Sequence, residues 1–381
     1  MRKIIDSHKQ DRDPAFEEIV AKIGGSAASV RDQLRIEGLQ GPAGALVLSR
    51  LFRETGRPLV VVMPAEREAR AMERDMAFFL GGDEVSFFPA WDIVSTDPLA
   101  FQRDIERVRI GVLYRLLSGA PAVFVMPLKA LMQKVMPRAA LEDYIRTISI
   151  GDMLDRDALV EKMSLGGYRR ETLVEETGEF AVRGHVVDIF PPTAPGPFRL
   201  EFFGDELEAI RRFDPVSQRS IDEVVDFVLA PAGELILSEA RKKKAIRNIR
   251  ARADELELPR LVRERLTDMI GQNLVSSINP LLLPLFYHGG QDTDHPEDFP
   301  LSNLFDFVPR QALLIHDDPA VMARGLEEIE NTVDRFLLKA RSEGRFFLER
   351  EASCLSGEQL RSQSGHFQRI VFQSLPLGVR T

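Results

Sequence analysis

Leu59-Val60-Val61-Val62-Met63 is apolar at every position, ends at Pro64 and runs into a helical pattern. A run this short and this uniformly apolar suits a strand covered on both faces, the condition of a parallel sheet packed between helices. The same texture continues from Arg57 to Pro137. It predicts a helix over Ala65 to Leu80, a strand over Glu84 to Phe88, a helix over Phe101 to Leu117 and a strand over Ala122 to Met126. Pro64, Pro89 and Pro127 punctuate the strand ends. A further pair of this kind lies far downstream, a strand over Ala312 to His316 and a helix from Pro319 to about Arg341.

After Ile145 the pattern changes to a helix from about Asp155 to Leu165 and then short β-type segments as far as Leu229, closed by Pro231 and Gly233. That is an α+β texture. A charged helix over Glu239 to Asp254 and a loop rich in Pro and Leu follow. The expected architecture is therefore α/β: one discontinuous parallel-sheet domain with a smaller α+β domain inserted. Its predicted parts are a helical lead-in over 1–34, the first part of the α/β domain over 35–144, the insert over 145–231, the second part over 232–344 and a C-terminal extension over 345–381. A length of 381 residues suits two or three compact units.

Charge and cysteine content narrow the function classes. With 50 Lys and Arg against 59 Asp and Glu the net charge is −9, so any contact with nucleic acid must be local. Cys354, the sole cysteine, leaves no intramolecular disulfide or multi-cysteine metal site and fits a reducing, cytoplasmic setting; its one basic neighbour, Arg350, does not make it a nucleophile. The start, Met1-Arg2-Lys3, leads into no apolar secretory stretch and no run approaches bilayer length, so no membrane contact is expected. The six histidines show no i,i+4 pair. His288 and His295 flank an acidic loop through Asp292, Asp294, Glu297 and Asp298 that reads as solvated, and no metal is expected.

Three constellations remain. Gly38-Leu39-Gln40-Gly41-Pro42-Ala43-Gly44-Ala45, leading into a helical pattern, is the most suggestive phosphate-loop candidate, yet Gly44 stands where the phosphate-binding lysine belongs and Ala45 where the magnesium-binding hydroxyl belongs. What survives is a glycine turn before a helix, and ATP binding is not expected. In Phe198-Arg199-Leu200-Glu201-Phe202-Phe203, strand alternation puts Phe198, Leu200 and Phe202 on one face and Arg199, Glu201 and Phe203 on the other. The first set is core. The second, with an arginine's planar fork beside an aromatic ring, has the composition of a protein interface or of a solvated cross-strand contact. Finally, Arg241-Lys242-Lys243-Lys244 concentrates positive charge on one helix, as a solvated face or a weak phosphate contact.

The order of these blocks resembles the N-terminal region of the bacterial transcription-repair coupling factors, itself similar to UvrB. The blocks are the phosphate-loop remnant, Phe88-Pro89-Ala90-Trp91-Asp92, Leu128-Lys129-Ala130-Leu131-Met132-Gln133, Glu179-Phe180-Ala181-Val182-Arg183-Gly184 and Arg199 through Glu206. The likeness runs from about Arg35 to about Leu338. It implies a degenerate P-loop, helicase-like (UvrB-like) domain in two pieces with a UvrA-binding insert between them. Arg183, Arg199 and Phe203, with Glu201 as a lesser member, are the implied UvrA contacts, and Gly184 is expected to mark a bulge that aims Arg183 at the same surface. UvrB has an intact phosphate loop and a tyrosine-rich hairpin, whereas here the lysine is gone and Tyr114, Tyr144, Tyr168 and Tyr287 are scattered. The family's RNA polymerase-binding and translocase domains would lie outside these residues. The resemblance thus implies a non-catalytic recruitment module that binds UvrA, with DNA contact weak or absent. The alternatives are a DNA-binding helicase-type ATPase with an unorthodox nucleotide site and a purely structural brace.

Overall fold

The computed structural model of the protein describes residues 14–24, 33–39, 41–92, 103–272, 280–287 and 299–373. The histidine-flanked acidic loop of residues 288–298 lies outside them.

The first sheet has six strands in the order β1-β14-β13-β2-β4-β3, each pair parallel. They are β1 (Gln33–Glu37), β2 (Leu59–Met63), β3 (Val85–Phe87), β4 (Val123–Pro127), β13 (Leu313–His316) and β14 (Gln368–Gln373). β2 and β4 are buried at every residue, as strands with helices on both faces must be. Alternation divides β2 between two cores. Leu59, Val61 and Met63 join Leu48 of α2 (Ala43–Thr55), Met76 of α3 (Glu66–Leu80) and Phe16 of α1 (Pro14–Gly24). Val60 and Val62 face Ile110 and Leu113 of α4 (Arg103–Leu117).

Two strands of this sheet depart from expectation. β1 precedes the glycine loop where no strand is predicted, and β14 belongs to the segment expected to be an extension, yet pairs with β1 on one side and β13 on the other. The stretch expected to be loop after the charged helix also contains a helix, Arg260–Gly271.

The second sheet has the order β11-β10-β9-β8-β7-β6 and is antiparallel except between β6 and β7. Its strands are β6 (Arg169–Arg170), β7 (Glu179–Arg183), β8 (Val186–Ile189), β9 (Phe198–Phe203), β10 (Glu206–Phe213) and β11 (Ser220–Glu223). β5 (Arg146–Ser149) and β12 (Asp226–Leu229) form a separate two-stranded ribbon that starts and ends this unit. α5 (Arg156–Leu165), N-capped by the Asp155 carboxylate, lays Leu159 and Met163 against the inner face of the sheet. That inner face, through Phe180, Leu200 and Phe202, is continuous with the core under α4.

A buried polar knot ties the returning chain to α4. The Glu234 carboxylate accepts from Arg109 Nε at 2.5 Å, Trp91 Nε1 at 3.3 Å and the Met136 amide at 3.1 Å, while the Glu234 amide donates to Glu106 Oε1 at 2.9 Å. The Tyr287 hydroxyl donates to the Glu234 carbonyl and accepts from the Ile236 amide, both at 3.0 Å. Burial and the Glu234 carboxylate push the Glu106 carboxyl up to about 8.

Candidate protein-docking face

Burial along β9 alternates as its sequence dictates: Phe198, Leu200 and Phe202 are buried, Arg199 and Glu201 half-buried, and Phe203 is 73% exposed. Cross-strand register brings Arg183 to the same face, because Arg183 lies opposite Val186 and Val186 opposite Glu201. Arg183, Arg199, Glu201 and Phe203 therefore share the outward surface of the second sheet.

Two hairpins build one end of that surface. Arg183 and Val186 close over Gly184-His185, and Phe203 and Glu206 close over Gly204-Asp205. Gly184 and Gly204 take φ of +60° and +62°, the left-handed first position that a two-residue primed turn requires. Gly184 is thus a turn residue and not a bulge; the irregularities of register fall instead in β10, between Leu207 and Ala209 and between Arg212 and Phe213.

The charges are arranged differently from a free arginine beside a free glutamate. The Arg199 fork is occupied: Nε donates to Asp188 Oδ1 at 2.8 Å and Nη2 to Asp188 Oδ2 at 3.0 Å, and the guanidinium lies 4.7 Å from the centre of the Phe213 ring. Arg183 Nη2 also donates to Asp188 Oδ2. The Asp188 bonds hold the Arg199 guanidinium above its ordinary pKa. Glu201 instead accepts from Arg211 Nη1 at 3.0 Å. Two residues escaped the sequence pattern. Asp188, wholly buried in mid-strand, was hidden by an apolar context that gives no sign of which arginines stand opposite. Met153, 70% exposed, bridges to Glu206 on the side away from Phe203, so that all three point to one face.

The other constellations are placed as follows. Gly38 and Gly41 have φ of +79° and +55° in the turn between β1 and α2; Gln40 lies outside the described residues. Gly44 and Ala45 are buried in the first turn of α2. A Cβ on Gly44 would stand 3.2 Å from Phe372 Cε2 and 3.7 Å from Met72 Cε, so the place of the missing lysine is packed by apolar side chains.

Most of the basic run is turned inward, and the exposed basic side chains of its helix are Lys243, Arg247 and Arg250. In the helix Glu239–Glu255 only Lys243 of the four is exposed, while Arg241, Lys242 and Lys244 are buried. Arg241 Nη1 donates to the Ile236 carbonyl at 3.2 Å with its guanidinium over Tyr287, and Lys244 Nζ donates to the Tyr287 carbonyl at 3.3 Å. Lys242 pairs with Glu239 at 2.5 Å. Among the described residues no cluster of three His, Cys, Asp or Glu side chains could hold a metal, and no helix is long and apolar enough to cross a membrane.

The family model of the UvrB interaction domain matches residues 147–235, the stretch that contains the second sheet. Over 350 residues the chain is 33% identical to a transcription-repair-coupling factor of Myxococcus xanthus, a match covering 89% of this chain and 28% of the relative. The corresponding protein of Haemophilus influenzae is 29% identical, with 87% of this chain and 28% of the relative covered, and that of Bacillus subtilis 25%, with 85% and 27% covered. The chain thus spans little more than a quarter of the length of these curated relatives.

Proposed function

We propose that this chain, similar to transcription-repair-coupling factors and matching the UvrB interaction domain over residues 147–235, is a recruitment module that binds UvrA and brings excision repair to stalled transcription. The observation that carries this is the outward face of the second sheet. Phe203 projects from a hairpin end on the same face as Met153, and Arg183 and Arg199 share that face further along the sheet, both bonded to Asp188. An exposed aromatic beside arginines is the composition that interface hot spots favour, and such a ring gains free energy only when a partner covers it.

The module acts as a scaffold and not as an ATPase. Phosphoryl transfer needs a cation on the β/γ-phosphates and a hydroxyl on magnesium, and the loop that would supply them has Gly44 and Ala45 in those places with Phe372 against the glycine. Burial of Arg241, Lys242 and Lys244 supports weak or absent DNA contact through that helix. Its partners are then UvrA and, in a longer protein, the translocase and RNA polymerase-binding domains, and its setting is the cytoplasm.

The test is competition. If the second sheet presents a surface like that of UvrB, added chain displaces UvrB from purified UvrA, and Phe203→Ala at the same concentration does not. Failure of the wild-type chain to displace UvrB at saturating concentration, with no direct association either, would count against the function.

A further inference from the structure

Asp188 stands in the middle of Val186-Val187-Asp188-Ile189, opposite Ala181 on β7 and Arg199 on β9, with none of its surface exposed. A carboxylate so placed must be compensated, because an isolated buried charge is prohibitively costly. A single bidentate arginine meets that need, and Arg199 is bidentate. The second arginine, Arg183, is surplus to it. Two guanidiniums on one carboxylate leave one positive charge over at Asp188, with Arg183 nearly half exposed and Arg199 less so, while the nearby Glu201 is paired by Arg211. Phe213 supports one flank of Arg199, while Arg199 Nη1 makes only a long 3.4 Å contact to the Gln218 carbonyl.

We propose that Asp188 is the positioning residue of the docking face: it clamps Arg183 and Arg199 into one fixed cationic pair before the partner arrives. This inference rests on the UvrA-docking function proposed above and adds its mechanism and the chemistry it selects, an acidic group on the partner surface. Asp188 is buried beneath the guanidiniums and acts through them. Without it, two like charges on the strands either side of β8 repel, and both side chains recover rotamer freedom that binding must then remove. Ordering a long side chain costs roughly a factor of three to ten in affinity, so release of both arginines lowers affinity by about tenfold or more.

Two measurements test this. The first is a double-mutant cycle on the whole chain, titrated against purified UvrA. Asp188→Asn is expected to weaken binding by about tenfold or more in the wild-type background and by less than about twofold when Arg183 and Arg199 are both already alanine, since its effect passes through them. Unchanged binding by Asp188→Asn, or an equal loss in both backgrounds, overturns the proposal. The second needs no variant to fold: guanidinium order parameters of Arg183 and Arg199 in the unbound wild-type chain. Rigid groups are expected, and groups as mobile as that of an exposed arginine such as Arg250 overturn the clamp. If the wild-type chain shows no association with UvrA, the docking function fails while the order parameters still decide whether Asp188 fixes the pair.

Discussion

Glu106 makes the stability of this protein depend on pH in a direction opposite to that of an ordinary salt-bridged acid. Its carboxyl is buried on α4 beside the Glu234 carboxylate, and these two causes raise it from 4.5 to about 8 against the opposing pull of the Glu234 amide, Arg107 and Arg109. The folded chain then holds a proton between pH 4.5 and 8 that the unfolded chain has released. Stability from this group is complete below about pH 4.5 and is lost as pH rises through 8. The full shift corresponds to about 5 kcal/mol, and coupling to Glu234 reduces the effect to about 2–4 kcal/mol. His316 works the other way: burial first and then Arg369 push it down to about 4, so its contribution is lost as pH falls from 6.5 towards 4. Urea unfolding at intervals from pH 5 to 9 therefore compares wild type with Glu106→Gln, which keeps shape and hydrogen bonding and cancels the His316 background. The wild type is expected to lose about 2–4 kcal/mol more than the variant across this range. Parallel curves for the two proteins would refute the assignment.

The remaining predictions concern the other constellations. Gly44→Lys is expected to lower the unfolding midpoint without creating magnesium-dependent ATP binding, because the added side chain meets Phe372; a thermal-shift assay with and without magnesium-ATP reads both outcomes. Arg241→Ala and Lys244→Ala should each cost about 1–3 kcal/mol of stability by removing a buried donor from the Ile236 and Tyr287 carbonyls, whereas Lys243→Ala should cost less than about 0.5 kcal/mol. Mobility shifts at moderate salt should be the same for all three. Met153→Ala should weaken UvrA binding by about three- to tenfold with the unfolding midpoint unchanged, since its side chain is exposed before a partner covers it.

The central strands of the first sheet are legible because burial on both faces leaves no polar position: β2 and β4 are apolar throughout. β1 is not, because it is an edge strand on which only Ile36 is buried among Gln33, Arg35 and Glu37. β14 has an apolar centre of only three residues, Ile370 to Phe372, and its pairing with β1 crosses more than 300 positions of sequence. The outward face of β9 follows from period-two alternation within one strand. Its electrostatics do not, because the ion pairs of Arg199 and Glu201 are set by cross-strand register with β8 and β10. The basic helix shows the same limit. Its charges are plain in the sequence, but what covers Arg241 and Lys244 is Tyr287, some 40 residues away in sequence.

The most direct test of the whole account is calorimetric titration of purified UvrA with the wild-type chain and with Phe203→Ala, each first shown to have the same unfolding midpoint. Phe203 is 73% exposed, so truncating it removes little that the fold uses, while covering its roughly 150 Å² of apolar surface contributes up to about 3–4 kcal/mol to binding. With incomplete coverage, about 2 kcal/mol remains, a loss of roughly thirtyfold in affinity. The account predicts saturable binding by the wild type and that loss in the variant. Equal affinity for the two chains, or no heat of association from the wild type, would contradict it.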